Sequence, residues 1–188
     1  MEEIRKYFEI NGKLTESDWE IFASKLTRQQ FEKKEMLLKI GETENYLSFV
    51  EKGIVRFYIP KDEGDFTFGF VFKGSFVSAY DSFLTQSPSG YVVETITDTV
   101  LWRLTYGDLL KIYDESKIGN LIGRKASEDL FLKKSRRELS LLQETAEERY
   151  LNLFTERPEL LRQIPLKFIA SYIGITPQAL SRIRRRIS

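Results

Sequence analysis

The 188-residue chain contains no cysteine and no histidine. Disulfides, thiolate metal sites, iron–sulfur clusters and histidine-ligated haem are thereby excluded. The commonest general base and the thiol nucleophile are missing as well, so neither a catalytic site nor a metal site is expected. No apolar run approaches the roughly 20 residues of a membrane helix. The opening MEEIRKYFEI has no apolar signal-peptide core. A cytoplasmic protein without membrane contact is expected. An excess of one charge is lacking too, since 29 Lys and Arg face 28 Asp and Glu.

Apolar residues make up 41% of the chain, including 14 Phe and 9 Tyr, which is enough for a packed core and argues against disorder. The length fits one large domain, or a medium domain plus a small one. Charge is unevenly spread. From Glu156 to Ser188 seven Arg and Lys face two Glu, a local +5, and the remainder carries −4. A basic tail on an acidic body is the footprint of a separate nucleic-acid module.

The first 30 residues read as helical. Thr15 and Asp18 form an acidic capping box ahead of Trp19, Phe22, Ala23 and Leu26 on one face. From 31 to 104 short aromatic and β-branched runs alternate with glycine and acidic turns. The clearest span 46–50, 54–59, 66–72, 90–96 and 99–104, and predict antiparallel strands in a small barrel or sandwich. Phe66, Phe68, Phe70 and Phe72 alternate with Thr67, Gly69 and Val71, as half-buried strand residues do. Beyond Asp108 the chain turns helical. A proline-free stretch from about 114 to 143 carries an imperfect seam of Ile118, Leu121, Ile122, Lys125, Leu132, Leu139 and Leu142. Either this helix dimerises, with Gly119 and Gly123 admitting a partner backbone, or it packs along its own barrel. Thr145 and Glu148 form a second capping box and start a new helix, so a domain boundary is expected at 143/144.

The last two dozen residues, PLKFIASYIGITPQALSRIRRRIS, read as two short helices around a tight turn. Gly174 supplies the left-handed residue of the turn, Thr176 caps the second helix, and Pro177 takes its first position. Leu180, Ile183 and Ile187 mark the buried face. Gln178, Ser181, Arg182 and Arg185 point the other way, with Arg186 on the flank. Amide and guanidinium groups on a short helix suit base edges in a major groove. Gln178, Ser181 and Arg182 are the expected base contacts. Lys167, Arg184, Arg185 and Arg186 are expected on phosphates, with Thr176 at the helix start.

A roll, a long helix and a terminal helix-turn-helix, in that order, resemble the Crp/Fnr-type transcription regulators. GITPQALSRIRRRI carries the likeness to that family's turn and recognition helix, and FVEKGIVR (49–56) the likeness to its strand–turn–strand. The family's recognition positions fall on Pro177, Gln178 and Arg182. The resemblance implies an α+β fold, with an antiparallel, jelly-roll-like roll of the cyclic-nucleotide-binding type and flanking helices. It also implies a dimerisation helix, within domain 1–143, and an all-α helix-turn-helix domain at 144–188. Double-stranded DNA, a second copy of the chain and RNA polymerase are the implied partners. The family's nucleotide binders carry a glycine–glutamate step and, about a dozen residues on, an arginine. Here Ser75 follows Gly74, and 87–91 contains no arginine. A buried phosphate without a bidentate partner is poorly compensated for its lost hydration. Tight binding of cyclic AMP or cyclic GMP is therefore not expected, and no cofactor is implied. Phe70, Phe72, Gly74, Ser75, Phe76, Ser89 and Tyr91 are the candidate effector-pocket residues. That pocket either takes a weakly polar small molecule or is filled by its own side chains. A second reading makes the chain a small-molecule-binding roll whose helical tail contacts proteins only.

Overall fold

The computed structural model describes residues 1–11, 14–62, 64–116 and 119–187. They form two compact units, residues 1–57 with 70–128, and residues 58–69 with 129–188.

In the first unit, helices α1 (Glu2–Asn11) and α2 (Glu16–Ser24) precede the strands. The Thr15–Asp18 capping box that starts α2 forms as read, with Thr15 Oγ1 accepting the Asp18 N–H at 3.2 Å. Asp18 is buried with both carboxylate oxygens hydrogen-bonded, one accepting the Thr15 hydroxyl at 2.5 Å and the other the Ser116 hydroxyl at 2.7 Å. One sheet has the order β1 (Thr27–Phe31), β8 (Thr99–Thr105), β3 (Tyr46–Lys52), β6 (Phe76–Val77). The other has the order β2 (Met36–Leu38), β7 (Val92–Thr95), β4 (Ile54–Ile59), β5 (Phe66–Phe72). The pairings whose register is resolved are antiparallel. Thr27–Phe31 is a strand and not the end of the helical N-terminus, because its backbone pairs with β8 from Thr27↔Arg103 to Phe31↔Thr99. Gly53, between β3 and β4, has φ +101°, and any side chain there would overlap Thr99.

Helices α3 (Tyr80–Thr85) and α4 (Tyr106–Glu115) complete this unit, with the start of α5 (Gly119–Gln143). Ile4 and Phe8 of α1 and Trp19 and Phe22 of α2 join Phe49, Phe83, Leu104 and Ile112 in one buried cluster. Burying a side chain of this size is worth about 1.5–3 kcal/mol, so this cluster supplies much of the driving force for the N-terminal helices to dock.

The second unit contains the rest of α5, then α6 (Ala146–Glu156), α7 (Pro158–Gln163), α8 (Leu166–Ile173) and α9 (Pro177–Ile187). Its core is built from Leu153, Leu160, Ile169, Ile173, Leu180 and Ile183. The Thr145–Glu148 capping box is present, and the Thr145 N–H and hydroxyl hold the Glu148 carboxyl below its usual range. Packing groups 129–143 with the C-terminal helices, whereas the sequence pattern suggested a boundary at 143/144. The cause is polar. Arg137 donates to the Tyr172 carbonyl and lies 4.0 Å over its ring, and Arg149 reaches back to the carbonyls of Ser140 and Glu144. Among the described residues no helix is long and apolar enough to cross a membrane.

Candidate nucleic-acid interface

The turn between α8 and α9 is made by Gly174 in the left-handed region, φ +81° and ψ +30°. Its N–H and that of Ile175 close onto carbonyls of the preceding turn, Ser171 at 3.2 Å and Ala170 at 3.0 Å. Thr176 caps α9 by accepting the Ala179 N–H at 3.2 Å, which leaves its own O–H to donate. Leu180 and Ile183 are buried, while Ile187, expected beside them, is 38% exposed in the last turn.

That burial turns the opposite face outward. Gln178, Ser181, Arg182, Arg184, Arg185 and Arg186 are all exposed, as are Lys167 and Thr176. Ser181 donates to the Pro177 carbonyl at 3.0 Å, so in this rotamer it offers solvent only acceptor lone pairs. Lys167 lies 4.7 Å over the Phe168 ring. Arg186 does not stand alone, since it donates to Glu147 at the start of α6.

Two arginines that sequence reasoning passed over fix this surface from behind. Arg149 donates to the Ile173 carbonyl at 3.0 Å, at the end of α8, and to Glu144 at the end of α5. Burial pushes the Arg137 guanidinium below its usual range, opposed by the Tyr172 beneath it. In the sequence both sit on polar helix faces and look like solvated cations; only their partners' carbonyls, remote in the chain, distinguish them.

The candidate pocket residues of the roll are divided by the fold. Phe76 is committed to the aromatic core, with ring centroids 5.2 Å from Tyr7, 5.8 Å from Phe8 and 5.1 Å from Phe49. Gly74 and Ser75 exchange backbone hydrogen bonds with Val50, at 2.9 and 3.0 Å. Phe70 is buried and Phe72 half-buried on β5. Ser89 and Tyr91 do come together. The buried Ser89 hydroxyl donates to the Tyr91 carbonyl at 2.9 Å and accepts its N–H at 3.2 Å. The Tyr91 ring packs edge-on to Phe57 at 6.2 Å, and its hydroxyl donates to Asp81. Burial and the Asp81 carboxylate both raise the Tyr91 phenol well above its usual range.

Behind this segment lies a carboxylate that sequence reading did not single out. Glu44 is 6% exposed and accepts the N–H groups of Tyr46 at 2.9 Å and Ala79 at 3.4 Å. Burial raises its pKa, against the pull of those hydrogen bonds and of Arg103. Arg103 in turn lies 3.6 Å over the Tyr46 ring and donates to Gln29 at 2.8 Å. Arg56, 2% exposed on β4, pairs with Glu94 of β7 at 3.6 Å.

Along α5 the predicted seam splits. Ile118 lies outside the described residues, as do the side chains of Leu121 and Ile122. Lys125, Leu132 and Leu139 are exposed, together with Phe131 and Leu142. Gly119 and Gly123 are already used within the chain. A Cβ on Gly119 would fall 2.9 Å from the Ile112 carbonyl, and one on Gly123 would fall 2.6 Å from the Tyr113 hydroxyl. The space they were expected to leave for a partner is therefore occupied by α4.

Residues 28–116 match the family of the cyclic nucleotide-binding domain. No curated protein matches the chain. Among solved structures it is similar to a putative Crp/Fnr-family transcriptional regulator from Eubacterium rectale, at TM-score 0.72 and 17% identity over 92% of this chain and 83% of that one. It is similar to CLP, a c-di-GMP-responsive global regulator of Xanthomonas campestris, at TM-score 0.70 and 18% identity over 92% and 91%. FixK2 of Bradyrhizobium japonicum matches at TM-score 0.68 and 20% identity over 86% and 84%. At these identities the likeness is one of fold.

Proposed function

We propose, for a chain whose residues 28–116 are a cyclic nucleotide-binding-type domain and whose fold is that of the Crp/Fnr regulators, that it is a sequence-specific DNA-binding transcription regulator acting as a homodimer. The observation that carries this reading is α9. A helix of eleven residues buries Leu180 and Ile183 and turns Gln178, Arg182 and Arg185 to solvent behind a capped N-terminus. Gln178, Ser181 and Arg182 read base edges, and Lys167, Thr176, Arg184 and Arg185 hold phosphates. Arg186 joins them when it leaves Glu147. The exposed stripe of Phe131, Leu132, Leu139 and Leu142 is the dimer seam. Two α9 helices then enter successive major grooves roughly 34–36 Å apart on a near-palindromic site.

The roll does not act through a cyclic nucleotide. From Gly74 to Thr95 there is no Lys or Arg, while Asp81 and Glu94 are acidic. Ser89 and Tyr91, the polar groups best placed to meet a ligand, are spent on one another and on Asp81. An anionic phosphate placed there would meet Asp81 and Glu94, and the guanidinium beside Glu94, that of Arg56, is already paired with it.

Selection of bound sequences from a random DNA pool by the purified protein tests the proposal. A palindrome with half-sites one helical turn apart is expected, and recovery of no sequence at all would refute it in favour of a roll whose helical tail contacts proteins. Sedimentation should show a dimer that Leu132→Glu with Leu139→Glu dissociates. Calorimetric titration with cyclic AMP and cyclic GMP should show no tight binding.

A further inference from the structure

The last carbonyls of α8, those of residues 170–173, have no partner within the helix. The backbone serves two of them, since the Gly174 N–H turns back onto Ser171 at 3.2 Å and that of Ile175 onto Ala170 at 3.0 Å. The other two, Tyr172 and Ile173, are the last before the turn, and side chains from outside the helix-turn-helix meet both. Arg137 of α5 donates to the Tyr172 carbonyl, and Arg149 of α6 donates its Nε–H to that of Ile173 at 3.0 Å. Arg149 also donates to the carbonyls of Ser140 and Glu144 at the end of α5. One guanidinium thus joins two helix C-termini, where the macrodipole favours a cation. Its Nη2 lies 3.8 Å from where a Cβ of Gly174 would stand, against the turn itself. All of these residues belong to one compact unit.

Neither arginine is placed like a phosphate-binding cation. Both are half-buried, whereas Arg182, Arg184 and Arg185 stand exposed. Arg137 lies 4.0 Å over the Tyr172 ring, and its Nε stays buried without a hydrogen-bond partner. An open buried donor opposes folding, so Arg137 secures the Tyr172 carbonyl at some expense of stability. The turn needs such outside support. Gly174 accepts a wide range of backbone angles, and Thr176 caps α9 only two residues later. The direction in which the chain leaves α8 therefore decides where α9 begins, and the glycine does not fix that direction by itself.

We propose that Arg137 and Arg149 are positioning residues for DNA reading. By holding the last two carbonyls of α8 they set the angle at which α9 leaves the turn, and they touch no phosphate themselves. The statement about DNA rests on the reading of α9 given above; the clamp on the turn does not. A clamp differs from an ordinary stabilising contact in one respect: its loss must loosen the turn and the start of α9 more than the rest of the unit.

The test uses the full-length protein and three variants, Arg137→Met, Arg149→Met and Arg149→Lys. On the selected DNA site each Met variant should bind about fivefold more weakly, the loss expected when the reading orientation falls to roughly a fifth of the population. The salt slope should stay at the wild-type value, because removing a phosphate-neutralising cation would flatten it by about 0.9. A flattened slope, or unchanged affinity, overturns the proposal. Arg149→Lys keeps the charge but cannot serve both helix ends at once, so it should bind more weakly too; wild-type affinity would show that charge suffices and overturn the clamp. Should Arg149→Met fail to fold, Arg149→Lys and Arg137→Met carry the same comparison. Without DNA, hydrogen exchange at amides 174–180 should run about tenfold faster in the variants, with 152–163 unchanged. Equal acceleration at both places, or none at 174–180, would leave the arginines as ordinary stabilising contacts and overturn the positioning role. If the wild-type protein binds no DNA, the functional reading falls while the exchange comparison still judges the clamp.

Discussion

Glu147 offers the sharpest test of the proposed DNA-facing surface. Arg186, near the end of α9, donates to its carboxylate, and the two side chains are 65% and 35% exposed. A pair this open to water is worth roughly 0–1 kcal/mol, so Arg186 can leave it at little cost. While the pair holds, however, much of the arginine's charge is cancelled before any phosphate feels it. Each phosphate neutralised by a protein cation contributes about −0.9 to the slope of log affinity against log salt. Glu147→Gln keeps the shape of the side chain in the first turn of α6 and deletes the opposing charge. Affinity for the selected site should rise, and the salt slope should steepen by up to about 0.9. Arg186→Ala should flatten the slope by less than Arg185→Ala does, and the difference should vanish in the Glu147→Gln background. Fluorescence anisotropy titrations across a salt series read both quantities. If Glu147→Gln changed neither affinity nor slope while Arg185→Ala flattened it, Arg186 would not face the phosphates, and the docking geometry assigned to the end of α9 would be wrong.

Three further outcomes are expected. Arg182→Ala should relax preference at one base pair by about 1–3 kcal/mol in competition binding and leave the other positions of the site unchanged. Gly174→Ala should destabilise the protein by roughly 1–2 kcal/mol in urea unfolding, the cost of a left-handed backbone for a residue with a Cβ; the added carbon meets Arg149 and Phe66 only at ordinary contact distances, 3.8 and 3.9 Å. A change near zero would refute it, and Gly174→Asn should cost less. Glu44 has a folded-state pKa above its unfolded one, so the folded protein binds the extra proton. Stability should therefore decline as pH rises from the ordinary carboxylate range through the raised value, and Glu44→Gln should flatten that decline in thermal unfolding across the pH series.

The elements visible in the sequence are those whose signal is local. β4 and β5 begin and end where the alternating runs do, since turn residues bound them on each side. Both T-x-x-acid boxes start helices, because a cap needs only residues three apart. α3 was missed for the same reason in reverse. Its N-cap position is Ala79, which offers no side-chain acceptor, and Gln86 rather than a glycine takes the left-handed position at its end. β1 reads TRQQF and looks like neither strand nor core; it is a strand because β8 supplies the partner backbone about 70 residues later. In the candidate site the outward face of α9 follows from helical spacing alone. The contacts that orient it, Arg149 on the Ile173 carbonyl and Ser171 on β5, join residues 24 and about 104 positions apart and leave no periodic trace.

The two halves of the long helix differ in what covers them. At 25 residues α5 is about 37 Å long by its rise per residue, and its two halves serve different surfaces. The first half carries Gly119 and Gly123, and their missing side chains are filled by Ile112 and Tyr113 of α4, while Ser127 lies 3.3 Å from the Tyr80 hydroxyl. The second half has no glycine and leaves Phe131, Leu132, Leu139 and Leu142 between 48% and 76% exposed. A helix that only packed on its own roll would not keep four large apolar residues in water along its far half, since each would favour burial by about 1.5–3 kcal/mol. A helix that only dimerised would not spend its two glycines on α4. The helix therefore packs on α4 along its first half and leaves an apolar stripe uncovered along its second, the stripe proposed above as the dimer seam, and the change-over falls between Ser127 and Phe131.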